Sequence, residues 1–225
     1  MKALFVIAAY NEEKSIGQVV QNLLNNKQHV LVVDDGSSDD TWGEIQKFGK
    51  NIFACRHPVN LGQGAALQTG IECARLIGPD YIVTFDADGQ HDLEDALKMI
   101  QFLDENQSIQ ALLGSRFLGH AINIPFIKVC TLKLAIGFTR LFSGIKLTDV
   151  HNGLRVLRKS FYNSFSFRQS GMEHASEILD YIALKKVPFK EYPVSIRYTD
   201  YSMAKGQSWT NSWNLAVKLI GDKIW

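Results

Sequence analysis

Tyr81-Ile82-Val83-Thr84-Phe85-Asp86-Ala87-Asp88-Gly89-Gln90-His91 is an apolar run that stops at two carboxylates spaced by one residue. Residues 81–85 read as a strand, since a short apolar run closed by turn-forming residues suits a strand buried on both faces. At its end Asp86 and Asp88 offer hard oxygen ligands to Mg²⁺ or Mn²⁺, and the amide oxygen of Gln90 offers a third. Few protein ligands suffice, because such ions keep waters and take substrate phosphates. A polar strand-end turn whose aspartate caps the next helix would use the same residues. The tripeptide alone does not choose between the two.

Comparable runs occupy 4–8, 30–33, 52–55 and 111–114, and helical patterns lie near 13–24, 41–48, 65–77 and 93–103. This alternation predicts an α/β fold, with one mainly parallel sheet flanked by helices in a single domain. Ligands of such sheets bind beyond the carboxyl ends of the strands. Three polar clusters fall there: Ala9-Tyr10-Asn11-Glu12, Asp34-Asp35-Gly36-Ser37 and Asp86-Ala87-Asp88. Asp34 and Asp35 can accept hydrogen bonds from a base N–H and a ribose hydroxyl. Gly36 equally suits a turn, and Ser38 or Asp39 a helix cap. Asn60-Leu61-Gly62-Gln63-Gly64-Ala65-Ala66 opens a helix whose N–H groups suit an anion. It does not follow the first strand, as a dinucleotide fingerprint does, and does not continue to Gly-Lys-Ser/Thr.

The 225 residues carry a formal net charge of +1, so nothing global points to nucleic acid as a partner. Cys55, Cys73 and Cys130 are odd in number and lack a metal-ligand spacing, which reads as reduced thiols in a cytoplasmic protein. The apolar run within residues 1–9 is too short for a signal sequence. No stretch of about twenty apolar residues predicts a membrane span. Residues 106–148 contain no Asp or Glu yet hold Arg116, Lys128, Lys133, Arg140 and Lys146. Within them 124–147 reads as a basic amphipathic helical segment, and a last helical pattern at 209–225 puts Trp213, Val217, Ile220 and Ile224 on one face. Such faces suit an anionic membrane surface, with Trp213 and Trp225 at the headgroups. They equally suit the domain itself, a membrane-protein partner or a second copy in a homo-oligomer. Arg116 in Gly114-Ser115-Arg116, and Arg155 closing Asp149-Val150-His151-Asn152-Gly153-Leu154-Arg155, suit bidentate recognition of phosphate.

Taken in order, six motifs resemble those of family 2 glycosyltransferases of the GT-A fold. They are Ala9-Tyr10-Asn11-Glu12, Val33-Asp34-Asp35-Gly36-Ser37, Asn60-Leu61-Gly62-Gln63-Gly64-Ala65, Asp86-Ala87-Asp88-Gly89-Gln90-His91, Gly114-Ser115-Arg116 and Gly153-Leu154-Arg155. The nearest likeness is to polyprenyl-phosphate sugar synthases of the dolichyl-phosphate mannose synthase type. The resemblance implies a nucleotide-diphospho-sugar transferase fold, with residues 1–115 holding the nucleotide sugar and 116–225 the acceptor. It implies an inverting transfer from a UDP- or GDP-sugar to a polyprenyl phosphate or other lipid-linked acceptor, in cell-surface glycan synthesis. Asp86, Asp88 and Gln90 would surround Mg²⁺ or Mn²⁺. Ala8, Tyr10, Asn11, Glu12, Asp34, Asp35, Gly64 and Ala87 would contact the nucleotide sugar. Arg116, Arg155 and Lys205, the last in Tyr201-Ser202-Met203-Ala204-Lys205-Gly206, would face the acceptor.

Two departures alter loop rigidity more than chemistry. Ala8 stands where the family usually has Pro, and Asp92-Leu93 follow His91 where it again has Pro. Longer relatives carry C-terminal membrane spans, so this chain is expected in the cytoplasm or peripherally at the cytoplasmic face of the membrane. An acceptor phosphate is already anionic near neutral pH and needs no base. A sugar-hydroxyl acceptor, as in polysaccharide or O-antigen assembly, would need one, for which Asp149 and Glu173 are the candidates. A nucleotide-sugar-binding protein without turnover is the remaining reading.

Overall fold

The computed structural model describes residues 2–122, 124, 129, 132–133, 136–137, 145–150, 152–171 and 173–198. Its strands are β1 (Ala3–Ala9), β2 (His29–Asp34), β3 (Phe53–Arg56), β4 (Tyr81–Thr84), β5 (Ala111–Ile122), β6 (Arg155–Arg158) and β7 (Phe189–Arg197). Helices α1 (Ile16–Asn25), α2 (Thr41–Gln46), α3 (Gln63–Ile77), α4 (Leu93–Glu105), α5 (Lys159–Ser164) and α6 (His174–Lys185) connect and cover them. The sheet order is β3-β2-β1-β4-β6-β5-β7. Of these strands β6 alone runs antiparallel to its neighbours, β4 and β5. The expected single α/β domain with a mainly parallel sheet is what forms.

Period-two alternation in β1 explains the layering. Ala3, Phe5, Ile7 and Ala9 enter one core with α1 and α4, while Leu4 and Val6 enter the other with α3 and α6. A strand buried on both faces must be apolar throughout, which is why the run looked continuous. Helix α1 buries Ile16, Val19, Val20 and Leu23, one stripe of a 3.6-residue period. Each such aliphatic side chain contributes about 1.5–3 kcal/mol on burial. Helix α3 lies close against β1 because Gly70 has no side chain; a Cβ there would sit 2.3 Å from Val6 Cγ1. Helix α4 is capped by Asp92, whose side chain accepts from the Glu94 N–H at 2.8 Å. That leaves Asp86 and Asp88 clear of the capping role their sequence position allowed.

The parallel pairing aligns the carboxyl ends of β1, β2 and β4 at one edge. β4 and β6 pair antiparallel with Thr84 opposite Arg155, so the segment entering β6 meets the end of β4. Between β5 and β7 the register shifts between Ser115 and His120. Arg116 lies in this irregularity, where a strand re-aims its side chains. Among the described residues no helix is long and apolar enough to cross a membrane. Most of 124–147, and all of 199–225 with Lys205, Trp213 and Trp225, lie outside the described residues.

Candidate active site

Asp86, Ala87 and Asp88 line a pocket of about 280 Å³ at the carboxyl end of β4. β1 and the turn after it contribute Ala8 and Glu12, and α3 contributes Gln63 from its first turn. The approach to β6 supplies Asn152, Gly153 and Arg155, and the start of α6 supplies His174 and Ala175. Gly153 is required where it stands, because a Cβ there would lie 2.4–2.7 Å from the Asp86 carboxylate. Thr84 Oγ donates to the Gly153 carbonyl at 2.5 Å and fixes this approach.

The two carboxylates are held differently. Asp86 Oδ2 lies 2.8 Å from Nε2 of the buried His91. Burial alone would raise the Asp86 pKa, but His91 and the cation of Arg155 reverse this and hold it below its ordinary value. Asp88 accepts from the Gln90 backbone N–H at 3.0 Å and from Gln90 Nε2 at 2.7 Å. Burial first, and the charge of Asp86 second, push Asp88 up to about 6. In this arrangement Gln90 faces Asp88 with its amide nitrogen and serves as that carboxylate's partner. The Gln90–His91 strip is stitched to β7 through a bridge from His91 to Ile196 and the bond from Arg197 N–H to Gln90 O at 3.1 Å.

Among the described residues no group of three or more His, Cys, Asp or Glu converges as a complete metal cage. Two neighbouring carboxylates on one pocket nonetheless suit a divalent cation. Such an ion fills its remaining positions with water and phosphate oxygens. The residues present therefore fit Mg²⁺ or Mn²⁺, which Asp86 and Asp88 would hold.

The second cluster is occupied by its own loops. Asp34 Oδ1 accepts from the Ser37 N–H at 3.0 Å, and its Oδ2 lies 2.9 Å from Arg56 Nε. Asp35 takes four contacts: Leu61 N–H at 3.0 Å, Gly62 N–H at 2.8 Å, Asn60 Nδ2 at 3.0 Å and His57 Nδ1 at 2.7 Å. Both carboxylates are buried and pin the 57–62 segment to the end of β2. Asn11 accepts from the Ser38 N–H at 2.8 Å, and the Glu12 N–H donates to Thr41 Oγ at 2.7 Å, which joins the turn after β1 to the same scaffold. Tyr10 stands out from it, 44% exposed. The Gly64 N–H donates to the Ser170 carbonyl at 2.8 Å, so this turn of α3 is packed against the 169–174 segment.

Arg116 and Asp149 are brought together rather than placed in the pocket lining. Arg116 Nε donates to Asp149 Oδ2 at 2.6 Å, the Arg116 backbone N–H donates to the same oxygen at 3.1 Å, and Nη1 donates to the Tyr198 hydroxyl. Both side chains are buried. Glu173 precedes α6 and packs beside Gly171, away from the two carboxylates after β4 in sequence but next to the pocket residue His174. Sequence reasoning assigned no role to Asn152, His174 or Gln63, all of which line the pocket. Only their place in quoted motifs, for Asn152 and Gln63, gave any signal.

A mainly parallel sheet carrying paired aspartates at the end of its fourth strand is the architecture of the GT-A fold. Residues 4–164 match the model of Glycosyl transferase family 2, and the chain belongs to that family. It is 36% identical to the UDP-N-acetylglucosamine–dolichyl-phosphate N-acetylglucosaminyltransferase of Methanococcus voltae over 236 residues, covering 96% of this chain and 93% of that one. It is 26% identical to the polyprenol monophosphomannose synthase of Mycolicibacterium smegmatis over 92% of this chain and 74% of that one. Among solved structures, a mannosyltransferase from Pyrobaculum calidifontis in complex with GDP-Man and Mn²⁺ has the same fold. It superposes with a TM-score of 0.62 at 16% identity, over 91% of this chain and 59% of that one.

Proposed function

We propose that this glycosyltransferase moves a sugar, with inversion, from a UDP- or GDP-sugar to a polyprenyl phosphate or other lipid-linked acceptor at a membrane surface. The observation that carries the reading is the Asp86–Asp88 pair on a shared pocket at the carboxyl end of β4. A Mg²⁺ or Mn²⁺ held there would supply Lewis-acid stabilisation of the departing diphosphate. Support for the donor and ion comes from the Pyrobaculum enzyme's complex, and for the acceptor from the names of the Methanococcus and Mycolicibacterium relatives.

The chain's own residues have separable tasks. Ala8, Tyr10 and Glu12 face the nucleotide, with the exposed Tyr10 ring offering a surface to the base, while Asp34, Asp35, Asn11 and Gly64 hold the loops that shape that end of the site. Asp149 fixes the Nε edge of Arg116, and Arg116 orients the acceptor phosphate together with Lys205. An acceptor phosphate attacks without deprotonation, in keeping with an Asp149 already committed to a guanidinium. Residues 1–115 carry the nucleotide end and the Asp86–Asp88 pair and 116–225 the acceptor side, with Asn152, Gly153, Arg155, His174 and Ala175 closing the shared pocket. The chain works peripherally, at the cytoplasmic face.

A thermal-shift screen of UDP- and GDP-sugars with and without Mn²⁺ tests the site. Stabilisation by a donor only when the ion is present supports it and identifies the base; equal shifts without the ion refute it.

A further inference from the structure

Among the described residues, two donors at the pocket find no hydrogen-bond acceptor. Asn152 is 4% exposed, and its Nδ2 has no hydrogen-bond partner. Its Oδ1 is committed, accepting the Leu154 N–H at 3.0 Å, so the carboxamide orientation is fixed with the NH₂ group left over. Arg155 is 3% exposed, and its guanidinium makes no hydrogen bond among the described residues. Both residues line the same pocket as Asp86 and Asp88, on either side of Gly153.

An orphaned buried amide is costly, and an under-compensated buried cation costs more. Arg155 shows the second effect: burial lowers its pKa to about 10, although the charges of Asp86 and Asp149 oppose the shift. Donors left in this state at the wall of a pocket are explained if a ligand completes them. The ligand must be anionic to satisfy Arg155 and must present several acceptor oxygens to take both residues. A planar guanidinium and an amide on one pocket wall suit a phosphate group, which presents several acceptor oxygens at once.

We infer that Asn152 and Arg155 form a phosphate clamp, in the same pocket as the Asp86–Asp88 pair, that holds a phosphate of one of the reactants. The donor's diphosphate and the acceptor's phosphate share this chemistry. The assignment of the phosphate to a reactant rests on the proposed transfer; the clamp itself does not.

The test is calorimetric titration of the full chain, with Mn²⁺ present, with four probes: pyrophosphate, UDP, GDP and a short-chain polyprenyl phosphate. The variants are Asn152→Asp, which keeps the acceptor for Leu154 and replaces Nδ2 by an oxygen, and Arg155→Met. Loss of a hydrogen bond to a charged group weakens binding roughly ten- to a hundred-fold. That loss for pyrophosphate and one nucleotide, with polyprenyl phosphate unchanged, places the donor's diphosphate in the clamp. The converse pattern places the acceptor there. Folded variants that bind all four probes as the wild type does overturn the clamp. So does a wild-type chain that binds none of them. Should the variants fail to fold, the ¹⁵N resonance of the wild-type Asn152 carboxamide must move when the probes are added, and an unmoved signal overturns the inference. Pyrophosphate bound through these residues by a chain that binds no nucleotide sugar would sink the transfer reading and leave the clamp standing.

Discussion

Replacing Asp88 by Asn should make the metal-free protein more stable at pH 8 and leave it unchanged near pH 4. Asp88 titrates at about 6 in the folded chain against an ordinary 3.8, raised first by burial and then by Asp86. A carboxyl with a raised folded pKa binds its proton more tightly folded than unfolded. Fold stability therefore falls as pH rises from about 4 to about 6, then stays low. Two pH units at about 1.4 kcal/mol each set a ceiling near 3 kcal/mol, and the partial opening of the site to solvent brings the expectation to about 2 kcal/mol. Asparagine removes the charge and keeps both contacts, since its Oδ1 still accepts from the Gln90 N–H and the Gln90 carboxamide can turn over. Urea unfolding in EDTA at the two pH values measures the difference. With Mn²⁺ at pH 8 the order should reverse, because the wild type alone regains a counter-charge for Asp88. A variant less stable than wild type at pH 8 in EDTA, or a gap equal at both pH values, would refute this reasoning.

Removing one partner of the Arg116–Asp149 pair, as in Asp149→Asn, should cost about 3–5 kcal/mol by chemical denaturation, since a buried guanidinium is left uncompensated. Gly153→Ala should lose metal-dependent donor binding in the thermal-shift screen while staying folded. Its Cβ would meet the Asp86 carboxylate at 2.4–2.7 Å, and overpacking of this kind costs about 1–3 kcal/mol. Asp35→Asn turns one acceptor oxygen into an NH₂ that meets either the Leu61 N–H and His57 Nδ1 or the Gly62 N–H and Asn60 Nδ2, and should lose amide-exchange protection at residues 60–62 before the rest of the sheet opens.

The first half of the fold was legible because β1, β2 and β4 are apolar runs buried on both faces, while β3 is a short edge strand, mostly exposed. β6 and β7 were not. β6 is the short Arg-Val-Leu-Arg, and β7 carries Lys190, Glu191 and Pro193, the composition of an edge strand. The end of β4 was legible for a similar reason: an apolar run stopping at Asp86 marks a strand terminus wherever it occurs. Asp35 shows what periodicity cannot supply. Its acceptor capacity was plain, but its donors come from residues 22 to 27 positions away, and only the folded loop reveals them. Arg116 and Asp149 were each read separately as phosphate contact and base, though 33 positions apart they neutralise one another. Asn152 was passed over because a single asparagine has no default chemistry; its unpaired amide appears only once its neighbours are in place.

The most direct measurement is transfer itself: purified protein, Mn²⁺, polyprenyl phosphate and a panel of radiolabelled UDP- and GDP-sugars, with the organic-phase product counted. At least one donor should yield a lipid-linked sugar that is lost with EDTA and with Asp88→Asn. Donor hydrolysis with no lipid product from any sugar would contradict the proposed reaction.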